Sequence, residues 1–123
     1  MNSTISRARY LVPTGRWLRN RGTTPGDFRG DIHPGDVFLL NDPYRGGTHL
    51  NDVTLLWPVF DETGALMIFP AVRAHWVDVG GMVPGSYSGL STNIYQEGVR
   101  IPPIKIFERG KINRSAFALL MAN

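Results

Sequence analysis

The sequence predicts an α+β fold made mainly of antiparallel β-hairpins, with long Gly- and Pro-rich loops and a C-terminal helix. Short apolar runs bounded by turn residues are typical of strands, and compact turns between two such runs are typical of hairpins. The chain has 14 Gly and 9 Pro among 123 residues, which indicates many short elements joined by turns. Helix signals are clearest at the C-terminus, where a capping residue precedes an apolar segment.

The first strand of the predicted domain follows a turn at residues 34–36 and covers the apolar run of residues 37–40. Residues 41–47 form a loop, because Asp and Asn ahead of Pro initiate turns and the paired glycines permit positive φ. Residues 53–60 form a second strand. Pro58 cannot donate a hydrogen bond to a neighbouring strand, so it predicts an edge position or a bulge.

A hairpin continues from the second strand. Its turn lies at residues 61–64, where Asp-Glu-Thr-Gly is a compact turn signal. The return strand covers residues 65–76, and Pro70 marks an irregularity within it. The two ends of this hairpin are therefore expected to lie side by side, because its strands are antiparallel.

A long irregular segment follows the hairpin. Residues 80–89 form a loop of small residues, and such loops inside compact domains are often functional. Residues 93–97 are predicted to form a short helical turn, capped by Ser91 or Thr92. Residues 100–103 are extended, because each proline disfavours helix in the residue before it.

The C-terminal segment contains one more strand and the predicted helix. Residues 104–107 read as a strand and residues 108–111 as a turn. Asn113 is then the predicted N-cap of a helix over residues 114–122, because its side chain can accept a hydrogen bond from the first turn.

Composition and charge exclude several classes of function. The chain has no Cys, which excludes disulfides, thiolate metal sites, Cys nucleophiles and iron–sulfur clusters. No stretch approaches the ~18 apolar residues that cross a bilayer, so no membrane partner is expected.

The net charge is +3, with +5 in residues 1–30 and −2 in residues 31–123. Residues 1–29 are predicted to be a basic, disordered leader, with an organelle presequence as the alternative. Nucleic-acid binding through this leader is not expected.

Two His residues occur in the same local pattern. His49-Leu50-Asn51-Asp52 and His75-Trp76-Val77-Asp78 are both H-x-x-D, and they fall at the two ends of the predicted hairpin. Imidazole nitrogens and carboxylate oxygens are the ligands that a divalent metal takes when thiolates are absent. Two His and one carboxylate leave positions open for water and substrate. The alternative remains open that each His only makes a hydrogen bond to its Asp.

Other candidate residues carry weaker signals. Arg45-Gly46-Gly47 can hold an anion, because backbone N–H groups beside glycines form anion-binding concavities and Arg adds a charge. The segment lacks the pattern of a phosphate-binding loop, so ATP binding by it is not expected. His33 is predicted to be a solvated turn residue.

These residues, taken together, resemble the hydantoinase B/oxoprolinase family over roughly residues 30–123. The blocks that carry the resemblance are Gly35-Asp36-Val37, Asn41-Asp42-Pro43-Tyr44 with the following Gly-Gly-Thr-His-Leu, Asp52-Val53-Thr54, Arg73-Ala74-His75, Asp78 with Gly80-Gly81, Pro84-Gly85-Ser86, Ile94-Tyr95-Gln96-Glu97-Gly98 and Arg100-Ile101-Pro102-Pro103 with Lys105. The blocks are long and occur in order. They make the resemblance specific.

The resemblance implies an enzyme that acts with a partner. The family comprises N-methylhydantoinase B-type subunits, the C-terminal half of ATP-dependent 5-oxoprolinase, and acetone carboxylase alpha subunits. A hydantoinase A-type partner subunit or domain would bind ATP and activate the substrate, and the B-type portion would complete ring-opening hydrolysis of a hydantoin or 5-oxoproline ring. A cytoplasmic location and a place in glutathione metabolism are implied in the same way.

The resemblance also implies site residues. In the acetone carboxylase branch manganese is bound by the first H-x-x-D pair and the following His, which correspond here to His49, Asp52 and His75. The metal would be of the Mn, Zn or Fe type. Asp78 would orient a ligand or act as a base. Arg45 and Arg100 are expected to contact an anionic substrate.

The chain also departs from the family pattern. Trp76 stands where many members have a second His, and Asn51 stands where they have Pro. Family members are several times longer, so residues 30–123 are expected to be part of a larger domain. Two hypotheses follow: a partial B-type hydrolase subunit, or a truncated, inactive fragment that retains only a subunit-interaction surface.

Overall fold

The strands in the described part of the chain form one antiparallel sheet. The structure is a computed structural model that describes residues 9–13, 28 and 30–123. In chain order the elements are β1 (Arg9–Pro13), β2 (Val37–Leu40), β3 (Asp52–Leu56), β4 (Val59–Phe60), β5 (Leu66–His75), β6 (Ile104–Glu108), β7 (Lys111–Ile112) and the helix α1 (Arg114–Met121).

The strand order across the sheet is β1-β5-β3-β2-β6-β7, and β4 pairs with β5 beyond the end of β3. Every pairing is antiparallel. The predicted α+β fold, with antiparallel hairpins and a C-terminal helix, is therefore confirmed. None of the helices within the described residues is long and apolar enough to cross a bilayer.

The central hairpin is formed by β3 and β5. Asp52 pairs with His75 at its open end, and Leu56 pairs with Ala71 nearer the turn. The predicted strand over residues 53–60 is interrupted: Pro58 separates β3 from β4, and the register shifts within the β4–β5 pair. Proline has no N–H to donate, so the strand breaks where the sequence indicated a bulge.

The core lies on both faces of β2. Phe38 and Leu40 belong to one buried cluster, and Leu39 between them belongs to another. Successive side chains of a strand point to opposite faces, so an apolar run of this kind is typical of a central strand covered on both sides. On the second face, Phe117 and Leu120 of α1 pack against the cluster. The apolar face of the helix thereby covers the sheet.

Two caps position the C-terminal half of the chain. Asn113 Oδ1 accepts a hydrogen bond from Ala116 N at 3.0 Å, which confirms Asn113 as the predicted N-cap of α1. The short 3-10 turn Ile94–Gln96 is capped by Asn93, whose Oδ1 accepts from Tyr95 N at 3.1 Å. The predicted caps Ser91 and Thr92 are thus wrong for this turn. The Gln96 side chain completes a capping box that requires the cap at Asn93.

A buried ion pair joins β6 to the start of β2. Lys105 Nζ lies 3.1 Å from Asp36 Oδ2 and 3.0 Å from Asp31 Oδ2. Burial by itself would lower the pKa of Lys105. The two carboxylates outweigh this effect and raise the pKa of Lys105 above its ordinary value. His33, predicted to be solvated, is partly buried beside this cluster, with Nε2 at 2.8 Å from Arg109 Nη2.

The segment predicted as a disordered leader is described only in part. Arg9–Pro13 forms β1 and pairs with β5. Phe28 packs on the core, with its ring 5.1 Å from that of Phe38. In these described positions a strand and a core contact replace the expected disorder, because β5 offers a long edge for pairing. The other residues of the segment lie outside the described residues.

Candidate functional site

The open end of the β3–β5 hairpin brings two predicted site residues together. Asp52 begins β3, His75 ends β5, and the two are directly opposite in the register. Directly opposite side chains in an antiparallel pair share one face of the sheet. His75 Nδ1 lies 2.9 Å from Asp52 Oδ1. The convergence predicted from the hairpin is therefore present in the structure.

The second oxygen of Asp52 is also held. Thr48 Oγ1 donates a hydrogen bond to Asp52 Oδ2 at 2.9 Å. Partial burial opposes ionisation of Asp52, but the hydrogen bonds from His75 and Thr48 and the charge of nearby His49 outweigh it, and the pKa of Asp52 falls below its ordinary value. The carboxylate is thus ionised and fixed in orientation near neutral pH.

His49 lies on the wall of the same cavity as His75. This cavity has a volume of about 400 Å³, and its other lining residues are Leu50, Asn51, the loop residues 85–89 and Glu97. The His49 side chain is exposed. Among residues 9–13, 28 and 30–123, no group of three or more His, Asp or Glu side chains is already placed to hold a metal ion. The structure thus joins Asp52 to His75 and places His49 beside them without closing a three-donor cluster.

Asp78 is engaged elsewhere. Its carboxylate accepts hydrogen bonds from Gly85 N at 3.0 Å, Ser86 Oγ at 2.7 Å and Gly80 N at 2.8 Å. These donors lower the pKa of Asp78 to about 2. A carboxylate with so low a pKa is a weak base, and no hydrogen bond joins it to His75 in the described part of the chain. The geometry makes Asp78 an anchor of its loop and supports neither predicted role.

Ser86 completes this loop anchor. Its Oγ donates to Asp78 and accepts hydrogen bonds from Val79 N and Gly81 N, both at 2.9 Å. The residue is buried and has a φ of 55°, which is the left-handed region that residues other than glycine rarely adopt. The anchor fixes the loop that supplies one wall of the cavity.

The two predicted substrate-binding arginines lie away from the cavity. Arg45 ends the 3-10 turn Pro43–Arg45 and is exposed. Arg100 Nε lies 3.5 Å from Asp42 Oδ2, and its guanidinium lies 5.3 Å from the centre of the Tyr95 ring. Within the described residues, neither guanidinium lines the cavity that holds His49 and His75.

A family model described as hydantoinase B/oxoprolinase matches residues 22–123. The chain belongs to the hydantoinase B/oxoprolinase family. The match begins ahead of the boundary at residue 30 that the sequence blocks indicated. It covers the sheet from β2 to β7, α1 and the whole candidate site.

Curated relatives of this family member are much longer than the chain. It is 46% identical over 95 residues to an uncharacterised protein of Methanocaldococcus jannaschii, which covers 76% of this chain and 16% of that protein. It is 46% identical over 74 residues to a 5-oxoprolinase of Saccharomyces cerevisiae, a match that covers 60% of this chain and 6% of that protein. It is 38% identical over 98 residues to the caprolactamase subunit beta of Pseudomonas jessenii, a match that covers 80% of this chain and 17% of that protein. The chain thus spans less than a fifth of each of these relatives.

Two solved structures share the fold. The ATP-dependent caprolactamase from Pseudomonas jessenii matches with a TM-score of 0.71 and 38% identity over 78% of this chain and 16% of that chain. The nucleotide-free acetone carboxylase matches with a TM-score of 0.67 and 25% identity over 74% of this chain and 12% of that chain. The fold of this family member therefore corresponds to part of a larger domain, as the sequence predicted.

Sequence reasoning missed two residues of the site. Thr48 and Arg73 both contact the network around Asp52, yet neither was assigned a role. A signal for Arg73 was available, because it precedes His75 by two residues on one strand and so shares its face of the sheet. Thr48 lies in a loop, where no periodicity indicates which way a side chain points.

Proposed function

We propose that this chain forms part of the B-type portion of an ATP-dependent hydrolase that opens cyclic amide rings. Membership of the family supports the proposal, as do relatives named 5-oxoprolinase and caprolactamase subunit beta. The observation that carries it is the contact of Asp52 with His75, which lines the same cavity as His49.

The donor set fits a divalent metal of the Mn, Zn or Fe type. Ligand atoms about 2.0–2.1 Å from a tetrahedral metal lie ~3.3 Å from one another. The 2.9 Å between Asp52 Oδ1 and His75 Nδ1 is close to that separation. His49, being exposed, can turn its ring toward the pair and supply the third donor. His49, Asp52 and His75 would therefore hold the metal.

Each residue of the site has a physical task in this proposal. A bound metal would polarise a carbonyl or activate water. The hydrogen bond from Thr48 to Oδ2 holds the ionised Asp52 carboxylate so that Oδ1 faces His75 Nδ1. The cavity of about 400 Å³ is in the range of small-molecule sites and can admit a ring of this kind. The anchored loop of residues 78–86 keeps its wall in place.

ATP would be handled by a partner. The sequence of this chain has no phosphate-binding loop pattern, whereas one matching structure is that of an ATP-dependent caprolactamase and one relative is a caprolactamase subunit beta. We therefore propose a hydantoinase A-type subunit or domain as the partner that binds ATP and activates the substrate.

A metal titration tests the site. We expect the purified chain to bind Mn²⁺ with one site in isothermal titration calorimetry. His49→Ala and His75→Ala should each lower the affinity at least about tenfold, because each removes a ligand. His33→Ala is the matched control and should bind as the wild type does. Equal affinities in all four proteins would overturn the assignment of the ligands.

A second candidate is a subunit-interaction piece without catalysis. It is favoured by large apolar side chains on the surface, among them Val77 at 79%, Leu119 at 65% and Met121 at 81% exposed. Such side chains suit burial against another protein surface. Stable binding to an A-type subunit by a chain that takes up no metal would favour this candidate over the first.

A further inference from the structure

The guanidinium of Arg73 joins two threonine hydroxyls beside the candidate site. Arg73 Nε donates to Thr54 Oγ1 and Nη1 donates to Thr48 Oγ1, each at 3.2 Å. Thr54 is buried and directly opposite Arg73 in the β3–β5 register. This pair is two residues from the Asp52–His75 pair, so both pairs lie on the same face of the sheet.

The chemistry of the groups fixes the direction of each hydrogen bond. A guanidinium can only donate, so Thr48 Oγ1 must accept from Arg73. The single hydroxyl proton of Thr48 is then available for Asp52, whose Oδ2 lies 2.9 Å away. The other oxygen of the carboxylate faces His75 Nδ1. A continuous path of hydrogen bonds therefore runs from Arg73 through Thr48 and Asp52 to His75.

We propose that Thr48 and Arg73 are positioning residues that orient the Asp52 carboxylate for metal binding. The inference rests on the proposed metal site. A carboxylate that rotates freely loses that conformational freedom when it binds a metal. A carboxylate held by a hydrogen bond at Oδ2 already presents Oδ1 to the metal and loses less. Hydrogen bonds to metal ligands of this kind usually change metal affinity by about 10- to 100-fold.

Conservative variants separate positioning from a structural role. Thr48→Val keeps the shape of the side chain and removes the hydroxyl, whereas Thr48→Ser keeps the hydroxyl. Arg73→Lys keeps the charge, but an ammonium cannot reproduce the fork that reaches both threonines. Thr63→Val is the matched control, because Thr63 is also exposed and its Oγ1 donates to Asp61 at 2.7 Å in the hairpin turn.

The test is Mn²⁺ titration of the whole chain by calorimetry, with circular dichroism to check folding. We expect Thr48→Val to weaken binding about tenfold or more, Arg73→Lys to weaken it severalfold, and Thr48→Ser and Thr63→Val to stay within about twofold of the wild type. If Thr48→Val misfolds, Arg73→Lys carries the test.

Two outcomes would overturn the proposal in distinguishable ways. Wild-type binding that is matched by folded Thr48→Val and Arg73→Lys would remove the positioning role and leave the metal site intact. Mn²⁺ binding by Thr48→Ser that is as weak as that of Thr48→Val would also contradict the positioning role. A wild-type chain that binds no Mn²⁺ would overturn the metal site and the positioning role together.

Discussion

Single residues at the hairpin end decide what the site can do. The carboxylates of Asp52 and Asp78 follow equivalent His residues in the sequence, yet their surroundings differ. Asp52 is shared between Thr48 and His75 beside the cavity, whereas the donors to Asp78 all lie within its own loop. Of these two carboxylates, Asp52 is the one that contacts a histidine on the cavity wall.

The low pKa of Asp78 predicts an acid-sensitive contribution to stability. Its folded-state pKa of about 2 lies below the ordinary value of 3.8. The contribution is therefore fully present above about pH 5 and is lost as the pH falls toward about 2. We expect Asp78→Asn to lower the free energy of unfolding near neutral pH and to reduce its decline below pH ~4. Urea denaturation at several pH values measures both effects, and an unchanged pH dependence in Asp78→Asn would contradict the anchor role.

The two carboxylates at the hairpin end also differ in how far sequence can predict their surroundings. The Asp52–His75 contact follows from antiparallel pairing, which brings hairpin ends together whatever the loops do. The spacing did not reveal that Asp78 accepts hydrogen bonds from Gly80 N and Gly85 N, two glycines with positive φ in its own loop. Such loop geometry depends on local backbone angles that no residue spacing reveals.

Two asparagine side chains, Asn41 and Asn51, join the elements around the site across distant parts of the chain. Asn41 Nδ2 donates to Leu50 O at 2.7 Å and to Val99 O at 2.9 Å, and Asn41 Oδ1 accepts from Ile101 N at 2.6 Å. This buried side chain joins the loop that carries His49 to the extended segment before β6. Asn51 Nδ2 donates to Trp76 O at 2.9 Å, which ties the two ends of the hairpin together.

Strands β2 to β6, the break at Pro58 and the cap of α1 were predictable because each depends on neighbouring residues. Strand β1 and its pairing with β5 were not, because Arg9 and Val72 are far apart in sequence. Residues 80–89 were expected to be functional, and part of that loop does line the cavity. Local chemistry thus predicts elements, while contacts between distant segments decide how they meet.

The packing of α1 predicts different effects of substitution at two adjacent leucines. Leu120 packs against the second core cluster, whereas Leu119 is 65% exposed. We expect Leu120→Ala to lower the free energy of unfolding by about 1–2 kcal/mol and Leu119→Ala by less than about 0.5 kcal/mol. Chemical denaturation measures both values. Equal losses in the two variants would contradict this packing of the helix.

The whole molecule is a family member that spans less than a fifth of the relatives described above. It nevertheless contains the β3–β5 hairpin, the cavity and all three proposed metal ligands. The net positive charge of the chain comes from residues 1–30, whereas residues 31–123 have a net charge of −2. The proposed metal chemistry therefore belongs to the mildly acidic, sheet-forming part of the molecule.

In the proposed site, His49, Asp52 and His75 bind one divalent metal. Pulsed electron paramagnetic resonance of the Mn²⁺-loaded chain, labelled with ¹⁵N-histidine, tests it most directly because it detects the nitrogens bound to the metal. We expect couplings from two imidazole nitrogens, with one lost in His49→Ala, one lost in His75→Ala and both retained in His33→Ala. A Mn²⁺ signal without imidazole coupling, or one unchanged by removal of His49 and His75, would contradict it.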